Sequence, residues 1–127
     1  MRFELIDSVL DQSDQKIVAI KNVTTAEEHL SDHFPDFPVL PGVMMLETLV
    51  QAARRLLGDN GHSGPFVLAE VRNIRYGNMV RPGEQLRVEV ELSKTTEDQF
   101  TFKGTGFVND ATAVQGRFSL RTLNVAG

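Results

Sequence analysis

The 127-residue chain has no cysteine, no tryptophan and a single tyrosine. Without cysteine it has neither disulfides nor thiol chemistry, which suits a reducing compartment. Basic residues are outnumbered: 13 Lys and Arg stand against 17 Asp and Glu, for a formal charge of -4. Nucleic acid is therefore not the expected general partner. No signal peptide and no apolar run of membrane-spanning length is visible, so the expectation is a cytoplasmic protein with no membrane insertion. No internal repeat, low-complexity tract or long linker divides the sequence. At 41% hydrophobic and 24% charged, it reads as one domain over residues 1–127 with a proper core.

What is present concentrates between His33 and Ala53, HFPDFPVLPGVMMLETLVQAA. Three prolines, Pro35, Pro38 and Pro41, stiffen a loop that carries His33. Each fixes its own φ and pushes its predecessor toward extended geometry. At Pro41-Gly42 the loop gives way to a run from Val43 to Leu57, apolar over most of a helical circumference, which reads as a buried helix. One carboxylic acid, Glu47, interrupts it. An imidazole in a rigid loop, a carboxyl on a buried helix and a helix N-terminus between them are the parts of an acid/base site.

Around this centre the chain reads as strands. Phe3 to Leu10 is a short strand, Asp11 to Gln15 a polar turn, and Lys16 to Thr24 a β-branched strand. Thr25 to Ser31 has the look of one capped helical turn. The helix stops at Gly58, and Asp59 to Pro65 is dense in turn residues. Phe66 to Arg75 and Phe100 to Val108 are strand-like. Leu86 to Ser93 and Val114 to Arg121 alternate apolar and polar with a period of two. Asn109-Asp110 predicts a hairpin between the last two strands. Two strands, one long helix and about four further strands make an α+β layer arrangement, in which so apolar a helix needs a sheet curling around it.

The string H-F-P-x-x-P-x-x-P-G-V-x-x-x-E-x-x-x-Q, His33 to Gln51, resembles the motif of the 3-hydroxyacyl-[acyl-carrier-protein] dehydratases of type II fatty-acid synthesis. Lys16 to Thr24 and Ile74 to Leu92 resemble the same family, so the likeness covers most of the chain and weakens at the last two strands. It implies the hotdog fold, one long central helix wrapped by a curved antiparallel sheet. Glu47, rather than aspartate, resembles the branch that only dehydrates. Asp32 and Asp36 stand where the family usually has glycine, and the segment before Phe3 is shorter than the family's.

Dehydrating a 3-hydroxyacyl thioester needs a base for the C2 proton, an acid for the departing hydroxyl and donors for the growing oxyanion. Histidine suits the first, a buried glutamic acid the second and the free N–H groups of Gly42 and Val43 the third. By resemblance, His33 is the base, Glu47 the acid and Gly42 the main oxyanion donor. From residue type alone, His33 is equally a solvated loop histidine. Glu47 equally begins a polar stripe with Gln51, Arg54 and Arg55. Gln51 either orients Glu47 or is an ordinary surface residue.

No metal is expected: His29 and His33 would need one helix through both, and Phe34-Pro35 follows directly. The apolar residues between the prolines argue against a free polyproline ligand. His62, in a glycine-rich turn, is expected to face solvent. The resemblance implies no metal or redox cofactor, a substrate carried on the phosphopantetheine of acyl-carrier protein, and a homodimer with shared sites that assembles in some members into hexamers. Docking an acidic carrier on an acidic chain needs a local basic patch. Arg72, Arg75, Arg81 and Arg87 are the candidates, and each is equally explained as a solvated strand residue. Tyr76 either lines the acyl tunnel or packs in the sheet. A hotdog thioesterase, a coenzyme A hydratase and a non-catalytic acyl-binding subunit are the competing readings.

Overall fold

A computed structural model describes residues 5–23 and 40–123. The helical turn expected at Thr25 to Ser31 lies outside the described residues. So do His29, Asp32, His33, Asp36 and the first two prolines of the loop.

The described elements are β1 (Ser8–Gln12), β2 (Lys16–Asn22), α1 (Gly42–Asp59), β3 (Phe66–Tyr76), β4 (Gln85–Thr95), β5 (Gln99–Val108) and β6 (Ala111–Thr122). The strands form one sheet in the order β1-β2-β4-β5-β6-β3, antiparallel at every pairing. The architecture is α+β, one helix against a curved antiparallel sheet, as the hotdog fold requires.

The period-two patterns explain which face is covered. Leu86, Val88 and Val90 are buried on β4, and Phe102, Phe118 and Leu120 on β5 and β6. Their alternates Glu89, Lys103, Arg117 and Arg121 lie on the outer face. Against the inner face α1 sets Leu49, Val50, Ala53, Leu56 and Leu57, all fully or almost fully buried. Phe102 and Phe118 stack at 5.5 Å between ring centroids. At 18 residues the helix is about 27 Å long, enough to lie across the sheet's concave side.

Asn109 and Asp110 both take positive φ, 49° and 67°, the backbone of a two-residue hairpin turn with the twist that antiparallel strands prefer. The first strand differs from expectation. It runs from Ser8 to Gln12, so Asp11 and Gln12 belong to it and not to a turn. An edge strand points polar side chains at solvent while its neighbour supplies the backbone bonds, and a register shift between Val9 and Asp11 absorbs the irregular pattern. The helix ends at Asp59, one residue past Gly58. The N–H of Asn60 donates to Leu56 O and that of His62 to Leu57 O, closing the helix end. No helix among the described residues is long and apolar enough to cross a membrane.

Candidate active site at the start of the helix

Pro41 precedes α1 in extended geometry and can donate no N–H, so Gly42 supplies the first donor of the helix. The N–H groups of Met44 and Met45 already bond to Pro41 O at 2.9 and 3.2 Å. Among the described residues no side chain caps this end, and its first turn contains no acid. The positive end of the helix dipole is thus uncompensated by its own turn. Val43 is 68% exposed, which leaves the second donor's residue open to a ligand. The Leu40 N–H donates to Val80 O at 2.8 Å, tying the approach to the helix onto the β3–β4 connection. A Cβ on Gly42 would lie 3.0 Å from Cε1 of Tyr76 and 3.2 Å from its Cζ. Any larger residue would meet the tyrosine ring, which would have to give by a few tenths of an ångström. Burial raises the Tyr76 phenol above its usual value, so the hydroxyl stays protonated.

Glu47 follows five residues later, about 7.5 Å along the axis and roughly 140° around it. Gly42 and Glu47 of one chain therefore face different sides of the helix. The side chain of Glu47 is 42% exposed, not buried as the apolar run suggested. It shares a helix stripe with Gln51 and Arg54, which the described residues cover only in part. There Arg54 Nη1 approaches Glu47 Oε1 at 3.4 Å, and Arg54 Nε donates to the carbonyl oxygen of Phe66 at 3.1 Å. Gln51 Oε1 accepts the Leu5 N–H at 2.9 Å. That bond anchors the N-terminal segment to the helix, and no periodicity in the sequence signals it. His33 lies outside the described residues, so its distance to Glu47 is not part of this geometry.

The arginines divide. Arg72 stands opposite Arg117 on β6, and Arg117 opposite Lys103 on β5, giving a basic row across three strands of the outer face. Arg75 stands opposite Gln115 on the same face, because a bulge at Asn73, with φ 53°, restores the alternation after Arg72. A concavity of about 480 Å³ adjoins this row, lined by Arg72, Lys94, Arg117, Thr101 and Ser119 among others. Glu70 Oε1 partly neutralises it, 2.6 Å from Arg72 Nε. This face is separated from Glu47 by the sheet. Arg81 instead sits in the β3–β4 turn, its N–H donating to Glu84 Oε1 at 2.8 Å. Arg87 lies over the Phe107 ring, 4.9 Å from its centroid. Lys103 and Arg117 were missed from sequence because a cross-strand row depends on register, which alternation along one strand does not reveal.

Among the described residues no group of three His, Cys, Asp or Glu side chains is placed to hold a metal ion. His62 is exposed and meets Phe100 edge-on, with ring centroids 4.8 Å apart.

Comparison with known proteins places this geometry in a family. The family model described as ApeI-like, ApeI dehydratase, matches residues 9–117. The 3-hydroxyacyl-[acyl-carrier-protein] dehydratase FabZ of Coxiella burnetii (strain RSA 331 / Henzerling II) is 40% identical over 117 residues, 87% of this chain and 82% of that protein. The protein of the same name from Janthinobacterium sp. (strain Marseille) is 37% identical over 130 residues, 96% of this chain and 83% of the relative. Among solved structures, the dehydratase heterocomplex ApeI:P from Xenorhabdus doucetiae matches with TM-score 0.73 at 18% identity, covering 94% of this chain and 99% of that one. A hypothetical thioesterase with coenzyme A from Streptococcus pneumoniae TIGR4 matches with TM-score 0.74 at 10% identity, covering 92% and 85%. The structural matches carry the fold, which dehydratase and thioesterase share. The family-model match and the sequence identity carry more: the chain belongs to the ApeI- and FabZ-like dehydratases of the hotdog fold.

Proposed function

We propose that this protein dehydrates 3-hydroxyacyl thioesters on acyl-carrier protein to trans-2-enoyl thioesters, in type II fatty-acid synthesis or a related acyl pathway. The observation that carries this is the identity of 40% to a curated dehydratase of that name across 87% of the chain. Two of the three groups proposed for the reaction, the Gly42 N–H and Glu47, lie on α1. His33 takes the C2 proton. The electrons of that C–H bond move toward the thioester, whose oxygen gains charge against the N–H of Gly42, with Val43 beside it. Those electrons then form the C2–C3 double bond as the C3–O bond breaks, and Glu47 gives its proton to the departing hydroxyl, releasing water. His33 is left protonated and Glu47 ionised, with the Arg54 guanidinium beside the new carboxylate. Proton exchange with solvent resets both.

Every group in this scheme is a side chain or a peptide N–H, so the proposal uses no metal or redox cofactor. The substrate arrives on phosphopantetheine, and the basic face at Arg72 and Arg75, with Arg81 in its turn, is the docking surface proposed for the acidic carrier. The single-domain reading of residues 1–127 and a cytoplasmic location belong to the same proposal. The test is direct: 3-hydroxyacyl and trans-2-enoyl carriers are supplied and both directions followed by mass spectrometry. Interconversion is the expected result. Release of free carrier thiol without enoyl product would make the protein a thioesterase, and binding without turnover an acyl-binding subunit.

Two copies are proposed to join their sheets, each site taking His33 from one subunit and Glu47 from the partner subunit. Three features support this. Gly42 and Glu47 face different sides of one helix, the Glu47 side chain is 42% exposed, and among the described residues β3 is an 11-residue edge strand with one side open to pairing. Prepared separately, His33→Ala and Glu47→Ala are expected to be inactive. Dissociated and reassembled together at random, half the dimers are mixed and one site in two of those is intact. Roughly a quarter of wild-type activity therefore returns. A mixture that demonstrably exchanges subunits but stays at the single-mutant background would mean that each chain supplies both groups itself.

A further inference from the structure

Tyr76 ends β3, and 49% of its surface is exposed, yet its ring lies over Gly42, where an added β-carbon would meet Cε1 at 3.0 Å. The contact is held from the strand side. Ile74 packs on Gly116, where a Cβ would come within 2.9 Å of the Ile74 Cα. Gly77 abuts the carbonyl of Thr112, where a Cβ would come within 2.5 Å of its oxygen. The N–H groups of Gly77 and Asn78 donate to Ala113 O and Thr112 O at 2.9 and 3.0 Å. The backbone on both sides of Tyr76 is therefore seated on β6, and the ring projects from a fixed base. The start of α1 has no such support of its own: among the described residues no side chain caps it, and its lead-in is tied to the β3–β4 connection by the Leu40–Val80 bond.

We propose that Tyr76 is a positioning residue for the reaction. Its ring fixes the peptide of Gly42 and closes the β3 side of the helix start, so the thioester oxygen reaches the Gly42 N–H from the open side, at Val43. This rests on the reading of Gly42 as the oxyanion donor. The contact is made by ring carbons, so the aromatic ring does the positioning and not the hydroxyl. An oxyanion donor contributes only when it points at the developing charge, and displacement of a reacting group by about 1 Å costs up to about 10²-fold in rate.

The test is steady-state dehydration of one 3-hydroxyacyl carrier by the full chain and a set of variants. Tyr76→Ala is expected to lower kcat by about 10–100-fold with KM changed less than about threefold, since the ground-state grip on the substrate is untouched. Tyr76→Phe restores kcat to within about twofold of wild type. Gly42→Ala, whose new methyl meets the ring, costs more in the wild-type background than in the Tyr76→Ala background. Tyr76→Leu, which keeps apolar volume without a flat face, shows the alanine loss and serves if the alanine variant does not fold. A wild-type kcat in Tyr76→Ala or Tyr76→Leu overturns the proposal. So does a Tyr76→Phe variant as slow as Tyr76→Ala, which would put the hydroxyl in the chemistry, or a Gly42→Ala cost that is the same in both backgrounds. In each of these cases the wild type still turns over and the dehydratase reading stands. An inactive wild type removes that reading and this inference with it.

Discussion

Glu47→Gln is expected to fold as the wild type does and to lose on the order of 10²–10⁴-fold in kcat, the usual worth of a positioned acid. The substitution keeps the size and shape of the side chain and removes only the transferable proton. It also sets a neutral amide in place of the charge beside Arg54, but both side chains are about two-fifths exposed. Exposed ion pairs contribute roughly 0–1 kcal/mol, and Arg54 keeps its bond to the Phe66 carbonyl. The melting temperature should therefore barely move while the rate collapses. That separation is the point of the experiment, because the stripe of Glu47, Gln51 and Arg54 has an alternative role as an ordinary polar helix face. An unchanged kcat would assign Glu47 to that face and leave the hydroxyl's proton to another donor.

The largest effect on stability belongs to the layer beneath the helix. Phe102→Ala is expected to destabilise the fold by about 3–5 kcal/mol, the range for truncating a buried phenylalanine. Phe102 has no exposed surface and stacks on Phe118 at 20° between ring planes, so its removal opens a void that neighbours anchored in β5 and β6 cannot easily fill. Urea unfolding at fixed protein concentration measures it, since an assembled protein's apparent stability depends on concentration. Leu10→Ala, at a side chain 57% exposed on edge strand β1, is the reference and should cost far less. Equal losses at the two positions would mean that the core is not centred where Phe102 and Phe118 meet.

Much of this was legible before any coordinates. The alternation of Leu86, Val88 and Val90 with charged residues marks a strand covered on one face, and Asn109-Asp110 marks the hairpin between β5 and β6 because few residues tolerate two successive positive φ values. Pro41-Gly42 marked the start of α1. What periodicity cannot carry is which distant segments meet. Leu5 bonds to Gln51 across 46 positions, and Tyr76 covers Gly42 from another strand. Arg117 and Lys103 join Arg72 only through register. The burial of Glu47 was misjudged for a related reason. A helix rich in Leu, Val and Ala looks apolar all round, but the sheet covers one side, and the described residues cover the stripe of Glu47, Gln51 and Arg54 only in part.

The strand order has a consequence in time. β4, β5 and β6 are joined by short connections, so their pairing closes small loops and can form early. β2 must find β4 across the whole of α1 and β3, with Lys16 pairing to Glu91. β3 must find the far side of β6, with Phe66 pairing to Thr122. Such non-local pairings carry a high loop-closure cost and slow the search. The helix lies in sequence between β2 and β3 and touches both. The segment that carries Gly42 and Glu47 therefore lies inside the long loop that the pairing of β2 with β4 closes.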